Sequence, residues 1–196
     1  MPLDFITGPV RSGKSRFAER CALAARGDVI YVATAAIETD DLPWQRRIER
    51  HVARRPPSWK LVETARAGAP PLATLLREAT APQTLLVDSL GTWLAHRISV
   101  RFDADGEAAA CDEDALQAEI DDVVAAARRC VGHAIVVGEE VGWGLVPAYP
   151  SGRVFRDVLG RAHQELARAA TRAYLVVAGY AIDLKAAREI DGARAD

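Results

Sequence analysis

Three features of the sequence predict an α/β fold built on a doubly wound, mainly parallel sheet with helices on both faces. Five short runs, residues 3–7, 29–33, 84–88, 134–138 and 174–178, have strand length and are apolar at most positions. Runs of this kind suit strands covered on both sides. Segments with helical period lie between them, so strand and helix alternate along the chain. The first run ends in Gly8-Pro9-Val10-Arg11-Ser12-Gly13-Lys14-Ser15, a glycine-rich turn of the kind that joins a strand to a helix around a phosphate.

Taken in order, the elements have local causes. Gly8 and Pro9 stop the first strand, and a helix-compatible segment occupies residues 16–26 before the run at 29–33. Leu61 and Val62 read as a short strand, and Gly68, Pro70 and Pro71 make residues 65–71 irregular. The run at 84–88 ends in Asp88, where Ser89 and Leu90 follow. Residues 101–114 mix acids, Gly106 and small residues and also read as irregular. Leu116, Ile120, Val123, Val124, Ala127 and Val131 recur at helical spacing before the run at 134–138. Phe155, Val158, Leu159, Ala162, Leu166 and Ala169 do the same before the last run. With no internal repeat and no linker-like boundary, residues 1–196 are expected to form a single domain.

Composition narrows the partners. A formal net charge of -2 speaks against nucleic-acid binding through bulk positive charge, though it allows a local basic pocket. No stretch approaches the roughly 20 apolar residues of a membrane span, and residues 1–7 lack the pattern of a signal peptide. Cys21, Cys111 and Cys130 are odd in number and lack CxxC spacing, which points to neither a disulfide framework nor a zinc site. A reducing cytoplasm is the expected setting.

The glycine-rich turn carries the clearest chemistry. G-x-x-x-x-G-K-S between a strand and a helix is a P-loop, and the expected fold is therefore P-loop NTPase-like. Backbone N–H groups of the loop can wrap a polyphosphate, Lys14 can neutralise its β and γ oxygens, and the Ser15 hydroxyl can hold Mg²⁺. Such a site also needs a carboxylate at a neighbouring strand end, and Asp88 supplies one; the same residue reads equally as a cap before a helix. Glu139 and Glu140 stand at another strand end, where α/β sheets place their ligands.

Further residues extend the pattern. Arg11-Ser12-Gly13-Lys14-Ser15 with Ala18-Glu19, Tyr31-Val32-Ala33-Thr34-Ala35, Arg47-Ile48, His51, Arg55-Pro56 and Trp59 occur in that order. Asp88 with Leu90 and Trp93, Glu140-Val141-Gly142, Gly144-Leu145-Val146-Pro147, Arg153, Phe155-Arg156-Asp157, Gly160, Gln164, Leu166-Ala167 and Ala178-Gly179 with Lys185 follow. Over nearly the whole chain this resembles the bifunctional adenosylcobinamide kinase/adenosylcobinamide-phosphate guanylyltransferase family of cobalamin biosynthesis.

The resemblance implies two reactions. A nucleoside triphosphate, ATP or GTP, phosphorylates the aminopropanol hydroxyl of adenosylcobinamide, and GMP then passes from GTP to that phosphate with loss of pyrophosphate. It also implies a guanylylated histidine, for which His51 stands in the matching segment, and a homotrimer. Neutral imidazole is a competent nucleophile near pH 7. By spacing alone His51, among Arg46, Arg47, Arg50, Arg54 and Arg55, reads as one more polar residue on a solvated helix. The same arginines suit a leaving pyrophosphate and disfavour a protonated imidazole. The resemblance further implies that Ala33, Thr34 and Ala35, then Val52, Ala53, Arg54 and Arg55, with Glu63 and Asp88, line the guanine nucleotide site. Glu63 can accept hydrogen bonds from guanine N1 and N2, or be an ordinary exposed acid.

The chain departs from the family pattern in three places. Arg50-His51 stands where some relatives have two histidines, Glu139 where asparagine is frequent, and Ser89 and Gly91 where cysteine and threonine are common. His96, His133 and His163 show no metal-site spacing and are assigned no role. Trp44, Trp59 and Trp93 are expected to pack, whereas Trp143, between Gly142 and Gly144, suits an exposed loop in contact with substrate or another subunit. Two other functions fit the phosphate loop: a small-molecule kinase without guanylyl transfer, and a nucleotide-dependent regulatory switch.

Overall fold

The computed structural model describes residues 2–35, 42–100 and 113–190, leaving aside the side chains of Trp44, Arg47 and Arg50. Seven strands form one sheet: β1 (Leu3–Thr7), β2 (Val29–Ala33), β3 (Lys60–Glu63), β4 (Thr84–Asp88), β5 (His133–Val137), β6 (Arg172–Val177) and β7 (Tyr180–Asp183). Their order is β3-β2-β4-β5-β1-β6-β7. All pairs are parallel except β6 with β7. The helices are α1 (Lys14–Ala24), α2 (Leu42–Arg54), α3 (Leu72–Glu78), α4 (Leu90–Ser99), α5 (Glu113–Arg129) and α6 (Pro150–Ala169), with a 3-10 turn at Leu184–Ala186.

The apolar strands are continuous because alternate residues enter different cores. Leu3 and Phe5 of β1, Leu85 and Val87 of β4, and Ala134 and Val136 of β5 pack with α3, α4, α5 and α6. Ile6, Leu86, Ile135 and Val137 pack on the opposite face against Ala18 and Ala22 of α1. Parallel strands connected by helices on both faces make all strand C-termini of β1 to β6 point to one edge of the sheet, and the glycine-rich loop leaves β1 there.

The expected runs at 3–7, 29–33 and 84–88 coincide with β1, β2 and β4. β5 begins one residue early, at His133, and β6 is shifted to Arg172–Val177. The final hairpin β6–β7 turns through Ala178 and Gly179, both with positive φ, the mirror-image turn that matches strand twist. Of the expected irregular segment 101–114, residues 101–112 lie outside the described residues, and Glu113 and Asp114 begin α5. Among the described residues no helix is long and apolar enough to cross a membrane.

A buried ion cluster closes the opposite edge of the sheet. Asp4, fully buried in β1, accepts hydrogen bonds from Arg172 Nε (2.8 Å) and Nη2 (2.5 Å) of β6 and faces His133 Nε2 of β5 at 3.0 Å. Burial alone would raise the Asp4 pKa; hydrogen bonds and charge from His133 and Arg172 outweigh it, and the carboxyl is held below its ordinary value. His133 thus has a structural role that joins three strands.

His163 of α6 is the second buried histidine. Its ring packs 5.1 Å from Phe5, its Nε2 is buried without a hydrogen-bond partner, and burial lowers its pKa to about 4 from 6.5. Below pH 6.5 the unfolded chain takes up a proton that the folded protein refuses until about pH 4. Stability from this group is therefore present above pH 6.5 and declines as pH falls through that window. The expected loss between pH 7 and pH 5 is about 2 kcal/mol. Urea unfolding of the protein and of His163→Gln at the two pH values checks this: the variant should show a smaller pH-dependent loss, whatever its baseline stability.

Candidate functional site

The loop between β1 and α1 is shaped by close backbone packing. Gly8 has φ +156°, and a Cβ there would lie 2.2 Å from the Val176 carbonyl oxygen of β6, so no side chain fits. Pro9, Val10 and Arg11 arch over the turn, with Arg11 at φ 59° and Ser12 N–H donating to the Pro9 carbonyl at 3.3 Å. Ser12 O accepts from Gly179 N–H (2.9 Å), and Gly8 O from Glu140 N–H (3.0 Å), which ties the loop to the β6–β7 turn and to the segment after β5. Lys14 is only 3% exposed, and its ammonium rests 3.5 Å from the Pro9 carbonyl.

Beside Ser15 opens a cleft of about 80 Å³. Its walls come from the strand ends and from α2: Tyr31 and Ala33 of β2 with Ala35 beyond it, Leu61 and Glu63 of β3, Asp88 of β4 with Ser89 and Thr92 beyond it, and Glu139 after β5. Ile48, His51, Val52 and Arg55 complete it. These four follow i, i+3, i+4, i+7 spacing and so share one face of α2 and its last turn.

Asp88 is the hub. Its Oδ1 accepts a hydrogen bond from the Ser15 hydroxyl at 3.2 Å and its Oδ2 one from the Tyr31 hydroxyl at 2.6 Å, while His51 Nδ1 lies 3.7 Å from Oδ2. Burial, then the neighbouring Asp88 charge, hold the Tyr31 phenol far above its ordinary pKa, so it remains a donor at all physiological pH values. Arg55 lies flat over the Tyr31 ring, its guanidinium carbon 3.6 Å from the centroid, and its Nε is buried without a hydrogen-bond partner. Trp59 stacks on the other aromatic neighbour position, 6.3 Å from Tyr31.

The structure brings together Ser15, Ala33, Ala35, His51, Val52, Arg55, Glu63 and Asp88 around this one cleft. Thr34, Ala53 and Arg54 are not in its lining. Thr34 is fully buried, and its hydroxyl donates to Ser89 O (2.7 Å) and accepts from Ser89 N–H (2.8 Å), so it serves the turn after Asp88. Ala53 is exposed on another side of α2. Arg54 makes a two-point contact with Glu19 of α1 (3.0 and 3.3 Å) and places Nη2 3.3 Å from His51 Nδ1, so it braces α2 against α1 beside the imidazole. Glu63 is paired with Arg66 at 2.8 Å. Six wall residues, Tyr31, Ile48, Leu61, Ser89, Thr92 and Glu139, were not among the expected nucleotide contacts; Tyr31 reads as strand core, and no local spacing links it or Glu139 to Asp88.

Glu139 is pushed above the ordinary carboxyl pKa by burial, opposed by the Ser89 hydrogen bond and the Lys14 charge. Glu140 points elsewhere, its Oε1 accepting from Gly142 N–H at 2.9 Å. Beyond it, Arg153 donates to the carbonyls of Pro147 and Ala148, and Arg156 to those of Gly142 and Leu145. The loop so fastened leaves Trp143 65% exposed.

Among the described residues no group of three or more His, Cys, Asp or Glu forms a protein-only metal cage. The Ser15 and Asp88 oxygens instead offer the partial, hard-oxygen set suited to a Mg²⁺ ion that completes its shell with phosphate oxygens and water.

Comparison with known proteins agrees with this architecture. Residues 4–184 match the family described as cobinamide kinase / cobinamide phosphate guanyltransferase. The bifunctional adenosylcobalamin biosynthesis protein CobU of Escherichia coli (strain K12) is 34% identical over 184 residues, which cover 92% of this chain and 98% of that protein. The bifunctional adenosylcobalamin biosynthesis protein CobP of Pseudomonas aeruginosa is 37% identical over 183 residues, covering 93% and 96%. Among solved structures, an ATPase from the type III secretion system of pathogenic bacteria superposes with a TM-score of 0.51 at 14% identity, covering 97% of this chain and 59% of that one. That likeness concerns the fold alone.

Proposed function

Because the chain belongs to the cobinamide kinase / cobinamide phosphate guanyltransferase family, we propose that its single cleft carries out both transfers, with Lys14 and Ser15 holding the triphosphate and His51 relaying GMP. The enzyme phosphorylates adenosylcobinamide with a nucleoside triphosphate and then converts the phosphate to adenosylcobinamide-GDP. The observation that supports a shared site is Asp88, whose one carboxylate meets Ser15 of the phosphate loop and lies beside His51.

In the kinase step the acceptor hydroxyl oxygen attacks the γ-phosphorus, the bond to the bridging oxygen breaks, and the nucleoside diphosphate leaves. Loop N–H groups and Lys14 bear the charge that develops on the phosphate oxygens. In the second reaction a ring nitrogen of His51 attacks the α-phosphorus of GTP and pyrophosphate leaves. A phosphate oxygen of the acceptor then displaces the imidazole, forming the new phosphoanhydride and freeing His51. Arg55, with a buried unpaired Nε, offers a donor to the nucleotide, and Glu63 accepts from the guanine edge. Ala33, Ala35 and Val52 give the base its apolar contacts.

Mg²⁺, held by Ser15 and Asp88, neutralises phosphate charge when bound. Asp88→Asn keeps the shape and loses the charge. It should raise the Mg²⁺ concentration for half-maximal activity and lower turnover on the order of 10- to 100-fold, with a smaller effect on metal-free nucleotide binding. A Mg²⁺ titration of both half-reactions checks this; an unchanged titration would place the metal on another acid.

The proposed setting is a cytoplasmic homotrimer acting on a corrinoid, with no nucleic-acid partner. The function is tested by incubating the protein with adenosylcobinamide, ATP, GTP and Mg²⁺ and identifying products by mass. Adenosylcobinamide phosphate followed by adenosylcobinamide-GDP is expected; accumulation of the phosphate alone would reduce the protein to a kinase.

A further inference from the structure

Glu139 and Gly91, 48 residues apart in sequence, meet in space. Glu139 follows β5, the strand between β1 and β4. Its Oε1 accepts a hydrogen bond from the Ser89 hydroxyl at 2.5 Å and its Oε2 one from the Gly91 backbone N–H at 3.1 Å. Gly91 is buried in the first turn of α4. A Cβ on Gly91 would lie 2.2 Å from Glu139 Oε2 and 3.1 Å from its Cδ. The carboxylate therefore occupies the volume that any other side chain at 91 would need.

The seat matters because of what precedes it. Only Ser89 separates Asp88 from α4, and Ser89 is held on its backbone by Thr34 and on its hydroxyl by Thr92 (3.0 Å) and Glu139. The Thr34 and Thr92 contacts come from the residue after β2 and from α4 itself. Glu139 is the anchor from β5, next to the strand that carries the phosphate loop. Without it, of these anchors Ser89 keeps only its Thr34 and Thr92 contacts.

We propose that Glu139 and Gly91 are one functional unit, in which the Glu139 carboxylate, seated in the space glycine leaves at position 91, is a positioning residue that fixes Asp88 for Mg²⁺-nucleotide chemistry. This rests on the reading of the cleft as the nucleotide site. Displacements of about 1 Å near a reacting centre can cost on the order of 100-fold in rate, so a loosened Asp88 turn has a measurable signature.

The test is a double-mutant cycle of Glu139→Ala, Gly91→Ala and both together. Three quantities are read: kcat and KM of the kinase step, the Mg²⁺ needed for half-maximal activity, and the Mg²⁺-dependent gain in affinity for a fluorescent GTP analogue. Glu139→Ala is expected to lower kcat about 10-fold or more, raise the Mg²⁺ requirement and shrink the affinity gain, with KM for the corrinoid nearly unchanged. Gly91→Ala should do the same by expelling the carboxylate. The double variant should be no worse than Glu139→Ala, since the two closest clashes of the new methyl, with Glu139 Oε2 and Cδ, are gone and the residue-139 Cβ lies 3.5 Å away. Should Gly91→Ala fail to fold, folding of the double variant is itself the rescue that the pairing requires. Losses that multiply, or a Glu139→Ala enzyme with unchanged kcat and Mg²⁺ dependence, would overturn the proposal. If the unmodified protein transfers neither phosphate nor GMP, the functional reading fails, while Mg²⁺-dependent nucleotide binding across the four proteins still decides the pair.

Discussion

Lys14→Met is expected to lower adenosylcobinamide phosphorylation and GMP transfer together, each by roughly 10²- to 10³-fold. Both steps need a triphosphate gripped by the same loop, and the charge removed is the one that offsets negative charge on the β and γ oxygens. Methionine keeps an aliphatic stem in a site where Lys14 is almost wholly buried, so a void is not the cause of any loss. Thermal melts with and without GTP separate binding from folding: the variant should melt near the unmodified protein when free and gain less from the nucleotide. Retention of full guanylyl transfer by this variant would show that GTP binds for that step somewhere other than the loop.

Much of the fold was legible because its cause is local. β1, β2 and β4 are apolar at most positions, since alternate residues feed two cores, and their ends coincide with Gly8, Thr34 and Ser89, where backbone or capping demands change. β7 was not legible: all its residues are exposed, and it exists because the Ala178-Gly179 turn folds it onto the edge of β6. α3 is only seven residues long, too short for periodicity to stand out.

The site divides along the same line. Ser15 and Asp88 were readable from motif and strand end, whereas Tyr31 resembles any buried strand residue until its hydroxyl is seen on Asp88. The family resemblance implied a continuous stretch from Val52 to Arg55 as nucleotide contacts. A helix cannot present four successive residues to one side, and only Val52 and Arg55 face the cleft. Thr34 lies between Ala33 and Ala35 in sequence, but strand alternation turns it to the buried side, where its hydroxyl serves Ser89. Glu139 read only as an acid at a strand end. Its seat against Gly91 links residues 48 positions apart, and no local pattern encodes that pairing.

His51→Ala is expected to abolish GMP transfer, with a loss of more than about 10³-fold, while leaving adenosylcobinamide phosphorylation measurable. The two reactions part here because only one uses a protein nucleophile: the kinase step needs the loop and Asp88, whereas GMP relay needs a nitrogen that can hold the α-phosphorus. The imidazole stands on the cleft face of α2, with Nδ1 turned toward Asp88 and Arg54. Incubating the unmodified enzyme with α-labelled GTP and Mg²⁺ but no corrinoid should therefore label the protein and release pyrophosphate. The adduct should be lost in acid and survive alkali, because protonating the ring turns imidazole into a good leaving group. Arg54→Ala, which removes the brace between α2 and Glu19, should slow labelling without abolishing it, as a supporting residue does and a nucleophile does not. Label that persists in His51→Ala would remove this residue from the mechanism, and an unmodified enzyme that takes no label while still making adenosylcobinamide-GDP would mean that the acceptor phosphate attacks GTP directly.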